Sequence, residues 1–163
     1  MKIAVFSDTH GYPSGMLAAV REYKPDCVIH LGDGADDTEL IESEFPQLPI
    51  IAVAGNCDYD SMLPDKKEVT VGGIKMFLTH GHRYAVRYGK LDTLLYSADC
   101  SGAQMAMFGH THKPFFDQIG GIFVLNPGTA GKGKPNTWAK LEIGPTGEIE
   151  CEIVETPARS KLL

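Results

Sequence analysis

Short apolar runs alternate with amphipathic stretches in the first third of the chain. Residues 3–7, 27–31 and 50–54 are apolar runs of the length of buried strands. Between them, apolar residues recur at helical spacing over 14–23 and again over 36–45. This order predicts a β-α-β unit with parallel strands, in which the helices cover one face of a sheet.

The pattern changes to paired strands further along. Residues 68–71 and 74–79 flank Gly72-Gly73, residues 115–119 and 122–125 flank Gly120-Gly121, and residues 138–143 and 148–154 flank a turn that contains glycine. Each arrangement is typical of a hairpin. Residues 103–107 form another apolar run, and 90–98 carry leucines at helical spacing. We therefore predict an α+β fold, a four-layer α/β/β/α sandwich of two mixed sheets, as a single domain over residues 1–163.

Composition argues against several classes of protein. The net charge is −6 and the basic residues form no run, which argues against non-specific binding of nucleic acid. The four cysteines show no Cys-x-x-Cys pair and no dense spacing, as expected of a reduced chain. No apolar run approaches the roughly 18 residues of a membrane span, and no secretory signal opens the sequence. We expect a cytoplasmic protein with no membrane partner.

Ligand-type side chains follow five of the apolar runs. Carboxyl ends of strands gather at one edge of an open α/β sheet, so we expect these side chains to lie together. Imidazoles and carboxylates are the ligands of transition metals. The pair at 110 and 112 has the spacing that strand alternation would aim to one side. The candidate side chains are Asp8, His10, Asp33, Asn56, His80, His82, His110 and His112.

Each of these residues has a simpler interpretation when taken alone. Asp8 and Asp33 suit turns or helix caps, Asn56 suits a turn after Gly55, and the histidines suit loops. Their joint order favours a metal site. His30 lies inside a predicted strand, where the sequence favours a core histidine that is hydrogen-bonded to the backbone over a metal ligand.

The ordered motifs resemble the calcineurin-like metallophosphoesterase superfamily. Its pattern Asp-x-His, Gly-Asp, Gly-Asn-x-Asp/Glu, His and Gly-His-x-His occurs here, in order, between residues 8 and 112. The short length and the forms Ser-Asp-Thr-His and Asn-Pro-Gly-Thr are most similar to the small single-domain bacterial and archaeal phosphodiesterases of that superfamily.

The resemblance implies a dinuclear centre of two divalent transition metal ions. We expect Mn to serve best, with Fe, Co, Zn and Ni as alternatives. Asp33 would bridge the ions, and a bridging hydroxide would attack a phosphodiester in line. Two aspartates and one hydroxide would leave two divalent ions with a net charge of about +1, which matches a singly charged diester. Asp8, His10 and His112 would hold one ion, and Asn56, His80 and His110 the other.

Three residues are candidates for catalysis. Asn56 would donate to a phosphoryl oxygen, and His82 would contact the phosphate or hydrogen-bond a ligand carboxylate. Many relatives place histidine at the position of Cys57, where it is thought to protonate the leaving alkoxide. A thiol can donate a proton but has no cationic form, so Cys57 is either a proton donor for acidic leaving groups or a small loop residue. Asp58 would orient a histidine or form a turn.

Alternatives remain open for function and for substrate contacts. A phosphomonoesterase acting on a small phosphorylated metabolite is one, and a non-catalytic interaction module of the same fold is another. A homo-oligomer is compatible with the sequence. Arg83, Arg87 and Lys113 are either substrate contacts or surface charges.

Overall fold

The chain folds into two five-stranded sheets and three α-helices in the computed structural model, which describes residues 1–156. A short 3-10 helix, Val86–Tyr88, precedes the third α-helix. The elements in chain order are β1 (Lys2–Phe6), α1 (Ser14–Tyr23), β2 (Cys27–His30), α2 (Ala35–Glu44), β3 (Ile50–Ala52), β4 (Lys66–Val71), β5 (Ile74–Thr79), α3 (Asp92–Cys100), β6 (Met105–Met107), β7 (Phe115–Ile119), β8 (Ile122–Asn126), β9 (Thr137–Ile143) and β10 (Ile149–Glu155).

Both sheets are mixed, as the sequence predicts. The first sheet has the order β10-β9-β1-β2-β3, in which β1, β2 and β3 are parallel and β9 runs antiparallel to β1. The second sheet has the order β4-β5-β6-β8-β7, with parallel β5, β6 and β8 between antiparallel edge strands. The last hairpin therefore completes the sheet that the first strand begins.

Alternation along the strands builds a core on each face. Ile3 and Val5 of β1 face the second sheet and share a cluster with Met76 of β5. Phe6 points the opposite way and packs with Met16 of α1 on the outer face. Three layers of contact therefore separate four layers of structure, which confirms the predicted sandwich.

The outer helices are held by the same alternation. α1 and α2 cover the first sheet, with Val20 and Ile41 in one buried cluster. α3 covers the second sheet through Leu94 and Ala98, which pack against Phe77 of β5. Within residues 1–156, no helix has both the length and the apolar character needed to cross a bilayer.

Candidate metal centre

The candidate ligands all lie in the loops that follow the carboxyl ends of strands. The first sheet supplies those after β1, β2 and β3, and the second sheet supplies those after β5 and β6. Because the strands of both sheets end at a common edge, the structure brings together side chains that are distant in sequence. In chain order they are Asp8, His10, Asp33, Asn56, His80, His110 and His112.

Left-handed backbone, rather than strand alternation, aims most of these side chains. β6 ends at Met107, so the expectation that a strand presents His110 and His112 is wrong. Both histidines lie in a loop with φ of +64° and +58°. Asp8, His10 and Asp33 also have positive φ, between +47° and +56°. Such conformations cost on the order of 1 kcal/mol for residues other than glycine and cluster at functional sites.

Asp8 is fully buried, and one of its carboxylate oxygens is held by the protein. Oδ2 accepts a hydrogen bond from Ser7 Oγ at 2.6 Å and another from the backbone N–H of His110 at 3.1 Å. These two donors fix the rotation of the carboxylate. Its other oxygen, Oδ1, must therefore point into the site.

Asp8 Oδ1 is a buried acceptor with no hydrogen-bond partner among residues 1–156. The Nε2 atoms of three histidines surround it, those of His112 at 3.1 Å, His10 at 3.8 Å and His80 at 3.9 Å. The contact to His112 lies outside hydrogen-bond geometry. A buried anionic oxygen without a donor is costly, and a bound cation removes that cost.

The Asp33 carboxylate lies close to both His10 and His80. Its Oδ1 accepts a hydrogen bond from the backbone N–H of Cys57 at 2.7 Å. Its Oδ2 is 3.4 Å from His80 Nε2 and 3.7 Å from His10 Nε2. One carboxylate oxygen thus faces an imidazole from each of the two predicted ligand sets.

The tautomer of His80 is set by the backbone. Its Nδ1 donates to the carbonyl oxygen of Leu31 at 2.7 Å, so the lone pair of the neutral ring is on Nε2. That Nε2 faces Asn56 Oδ1 at 3.1 Å and the Asp33 carboxylate. Three acceptors that face one another need a cation or a proton between them. The donor set therefore fits a metal ion.

The converging ligand atoms form three overlapping groups. Within residues 1–156, each group has all its ligand atoms within 4.8 Å of one another. His110 is in none of them, although its ring centroid is 5.0 Å from that of His80. The groups are Asp8 with His10 and His112, His10 with Asp33 and Cys57, and Asp8 with Asp33 and His80.

Neighbouring histidines lower the pKa values of both buried carboxylates. Burial acts to raise the pKa of Asp8, but His112 and His80 outweigh burial and hold it below its usual range. Burial is likewise outweighed at Asp33, whose pKa is lowered by His80. The same pairs act on the histidines. The Asp8 carboxylate raises the pKa of His112, and at His80 the two carboxylates overcome burial and raise the pKa. Metal ions would therefore compete with protons for these ligand atoms.

The two remaining candidates for catalysis lie at the rim of the site. Cys57 is exposed, and its Sγ accepts a hydrogen bond from Asn56 Nδ2 at 3.4 Å. Burial of part of the thiol, followed by the Asp33 carboxylate, raises its pKa to about 11. His82 lies with its ring centroid 5.6 Å from that of His80. Its Nδ1 is buried without a hydrogen-bond partner among residues 1–156. The contact of His82 with phosphate stays a prediction.

Asp58 organises the backbone rather than a histidine. Its carboxylate accepts hydrogen bonds from the backbone N–H groups of Asp33 at 2.7 Å, Gly34 and Ala35 at 3.0 Å, and Gly55 at 2.7 Å. The prediction that Asp58 orients an imidazole is therefore wrong, and its alternative, a turn-forming role, is confirmed. The carboxylate ties the loop after β3 to the loop that carries Asp33.

His30 is the core histidine that the sequence predicts. The ring is fully buried, with Nε2 3.2 Å from Thr9 Oγ1. Its Nδ1 accepts a hydrogen bond from the backbone N–H of Gly32 at 3.3 Å. Burial lowers the pKa of His30 to about 4. The neutral ring supports the turn that leads to Asp33.

Three supporting residues escaped the reasoning from sequence. Ser7 holds Asp8, and Thr129 Oγ1 donates to the Asp8 carbonyl oxygen at 2.9 Å. Asn126 Nδ2 donates to the carbonyl oxygen of Gly109 at 2.9 Å and so fixes the start of the histidine loop. Their signal was present in the forms Ser-Asp-Thr-His and Asn-Pro-Gly-Thr, which carried the resemblance without a role for each residue.

Comparison with known proteins agrees with this geometry. The profile of the Calcineurin-like phosphoesterase superfamily domain matches residues 1–144. A probable metallophosphoesterase of Bacillus subtilis (strain 168) is 32% identical over 132 residues, which cover 79% of this chain and 75% of the relative. A phosphodiesterase of Methanocaldococcus jannaschii is 28% identical over 145 residues, 78% of this chain and 83% of the relative. A predicted phosphoesterase from Streptococcus pneumoniae has a crystal structure with a TM-score of 0.72 and 25% identity, over 94% of this chain and 97% of that chain.

Proposed function

The chain belongs to the calcineurin-like phosphoesterase superfamily, and from this premise we propose that it hydrolyses small phosphodiesters at a centre of two divalent metal ions. One observation carries the proposal. The buried Oδ1 of Asp8 has no hydrogen-bond partner among residues 1–156 and lies 3.1 to 3.9 Å from three imidazole nitrogens. A cation at this point would satisfy the carboxylate and the imidazoles together.

The ligands divide into two sets around Asp33. Its carboxylate faces both His10 and His80, so it would serve as the shared ligand. When bound, two divalent ions would activate water as a nucleophile and neutralise charge that develops on the phosphoryl oxygens. The mixed set of carboxylates, imidazoles and one amide suits several transition metals, of which Mn is our choice for assay. Asp8, His10 and His112 would hold one ion, and Asn56, His80 and His110 the other.

The residues of the chain position the substrate and supply a proton. Two ionised carboxylates and one bridging hydroxide against two divalent ions would leave a net charge of about +1, which favours a singly charged diester over a doubly charged monoester. Asn56 would turn its amide N–H to a phosphoryl oxygen, and His82 would contact the phosphate from the rim. Cys57 would give its proton to the departing oxygen, but a weakly acidic thiol with no cationic form would assist poor leaving groups little. We therefore expect diesters with acidic, aryl-like leaving groups, which need the least protonation, to be hydrolysed best.

Hydrolysis of bis(4-nitrophenyl) phosphate tests the proposal. Protein stripped with EDTA should be inactive, and Mn should restore activity. Asp33→Asn and His110→Ala should each lower kcat/KM by about 100-fold or more, because each removes a ligand. Asp36→Asn makes the same chemical change at an exposed position of α2 and should retain the wild-type rate. Equal rates in wild type, Asp33→Asn and His110→Ala would remove the enzyme assignment.

The same protein preparations separate the two alternatives. A phosphomonoesterase would hydrolyse 4-nitrophenyl phosphate faster than the diester. A non-catalytic interaction module would bind Mn, measured by elemental analysis, and hydrolyse neither ester. A panel of cyclic nucleotides, dinucleotides, glycerophosphodiesters and monoesters would then narrow the physiological substrate.

A further inference from the structure

A cavity of about 540 Å³ lies beside the histidine loop. Thr111, which lines it, stands between His110 and His112 in the sequence. A volume of this size is typical of sites that hold small organic molecules. The residues that line it include Val86, Arg87, Phe108, Thr111, Lys113 and Phe115.

The cavity combines apolar surface with two positive charges. Val86 and Phe108 are buried and supply part of the apolar lining. Arg87 and Lys113 add cations, and the lining contains no acidic residue although the chain has a net charge of −6. Neither cation has an ion-pair partner within residues 1–156, so both are available to an anionic ligand.

Another arginine near the site, Arg83, is already paired with a carboxylate. Arg83 is 2.9 Å from the carboxylate of Asp65 and does not line the cavity. Its charge is therefore neutralised by the protein itself. This contrast singles out Arg87 and Lys113 among the basic residues near the histidines.

The wall of the cavity is rigidly joined to the metal ligands. Thr111 Oγ1 accepts hydrogen bonds from Asn126 Nδ2 at 3.0 Å and from the backbone N–H of Lys113 at 3.3 Å. Asn126 also holds Gly109, directly before His110. A molecule in the cavity would therefore lie directly beside the histidine loop.

We propose that this cavity binds one organic arm of the phosphodiester and that Arg87 and Lys113 select arms that end in a second anionic group. The inference rests on the proposed phosphodiesterase function and adds the class of substrate to it. The preferred substrate is a diester whose arm has an apolar or aromatic body and a carboxylate or phosphate beyond it. The apolar lining contacts the body, and the two cations pair with the distal charge.

Two chromogenic diesters of nearly equal shape test this selection. Bis(4-nitrophenyl) phosphate carries a neutral nitro group where 4-carboxyphenyl 4-nitrophenyl phosphate carries a carboxylate, and both release 4-nitrophenolate. The readout is the ratio of kcat/KM for the carboxylated diester to that for the nitro diester, measured with Mn. We expect this ratio to be about fivefold to tenfold higher in the wild type than in Arg87→Gln/Lys113→Gln, with the difference mainly in KM.

A matched variant and a salt series complete the experiment. Lys90→Gln removes an equal charge from an exposed residue beside the cavity that does not line it, and should keep the wild-type ratio. The wild-type ratio should fall as NaCl rises from about 0.05 M to about 0.5 M, because salt screens exposed charges.

The outcomes separate this inference from the function on which it rests. Absence of Mn-dependent hydrolysis of either diester would overturn the proposed function. Hydrolysis of both diesters with the same ratio in wild type, each single variant and the double variant would overturn the selection alone. An equal loss of the ratio in Lys90→Gln would also overturn it, since general surface charge would then explain the preference.

Discussion

Cys57 places a weak acid where the leaving group must receive a proton. Its backbone N–H is bound to Asp33, and its thiol pKa is raised to about 11, so the side chain is fixed beside the ligands but holds its proton tightly. Imidazolium would be both a stronger acid and a cation. The identity of this one residue therefore bears on which leaving groups the protein handles.

Replacement of Cys57 by histidine should broaden the range of leaving groups. We expect Cys57→His to raise kcat/KM for diesters with alkyl or nucleoside leaving groups, relative to kcat/KM for aryl diesters, by about tenfold or more. This is the lower part of the range for general acid catalysis. The measurement is the slope of log kcat/KM against leaving-group pKa in a series of diesters. Cys100→His changes another exposed cysteine, on α3, and should leave the slope unaltered. An unchanged slope in Cys57→His would refute the role of the thiol as proton donor.

His30 should make the metal-free protein less stable in weak acid. Its folded pKa of about 4 is below the value of 6.5 expected for an unperturbed histidine, so the unfolded chain takes up the proton first. Stability is therefore lost as pH falls through about 6.5, and the loss is complete near the folded pKa of about 4. Between pH 7 and pH 5 this group alone should cost about 2 kcal/mol.

The variant His30→Asn isolates that contribution. Asparagine keeps an acceptor for the Gly32 N–H but does not titrate in this range. In urea unfolding with EDTA present, the free energy of unfolding of the wild type should fall by about 2 kcal/mol more than that of the variant when pH falls from about 7 to about 5. Because both proteins contain the same carboxylates, other titrations cancel in the comparison. Equal losses would show that the imidazole does not control this pH range.

At the residue scale, the candidate ligands could be named from the sequence, whereas the backbone geometry that brings them together could not. The types and order of Asp8, His10 and Asp33 carried enough chemistry to indicate a site. Their left-handed backbone gives no signal in a sequence, because residues other than glycine rarely adopt it. Asp58 was misassigned for a related reason, since an acidic residue after a glycine loop suits a histidine partner as well as backbone amides.

At the scale of elements, one carboxylate connects β3 to the start of α2. The residue before α2 is Gly34, which has no side chain to cap the helix. Asp58 takes over this role from a different loop by accepting the N–H groups of Gly34 and Ala35. A negative charge at a helix N-terminus is favourable, and here it also holds the turn of Asp33.

Removal of this carboxylate should weaken both the fold and the site. We expect Asp58→Ala to lower the free energy of unfolding by about 2 to 4 kcal/mol, because four backbone N–H groups lose a charged acceptor and water replaces it in part. Mn affinity should fall as well, since Asp33 would lose its support. Urea unfolding in EDTA and Mn titration measure the two effects. Asp60→Ala, at an exposed neighbour, should change neither, and a stable Asp58→Ala would contradict the assigned role.

Element types followed from periodicity, but strand neighbours did not. The helices and hairpins lie within about two residues of their predicted bounds. β3 ends at Ala52, two residues early, and Ala54 donates its N–H to the Pro64 carbonyl oxygen instead of continuing the strand. The alternation of apolar and polar residues indicates which face of a strand is buried, but it does not indicate which strand lies beside it. The pairing of β9 with β1 therefore had no signal in the pattern.

At the scale of the molecule, the site lies where the two sheets meet. His80 and His112 come from the second sheet, whereas Asp8, Asp33 and Asn56 come from the first. The core between the sheets, in which Val5 shares a cluster with residues of β5 and β6, therefore sets the distance between the ligands of the first sheet and those of the second. The order of the motifs does not by itself predict that ligands from both sheets converge, because the loops meet only once the sheets have packed. That convergence was predicted only through the family resemblance.

The placement of β1 inside its sheet has a consequence for biosynthesis. During synthesis β1 is made before both of its neighbours: it pairs on one side with β2, which follows within about one βαβ unit, and on the other with β9, which is made more than a hundred residues later. Until then the nascent chain presents an open strand edge, and Thr129 has not arrived to hold the Asp8 backbone. We expect the nascent chain to acquire its affinity for metal only after Thr129 and β9 have been made.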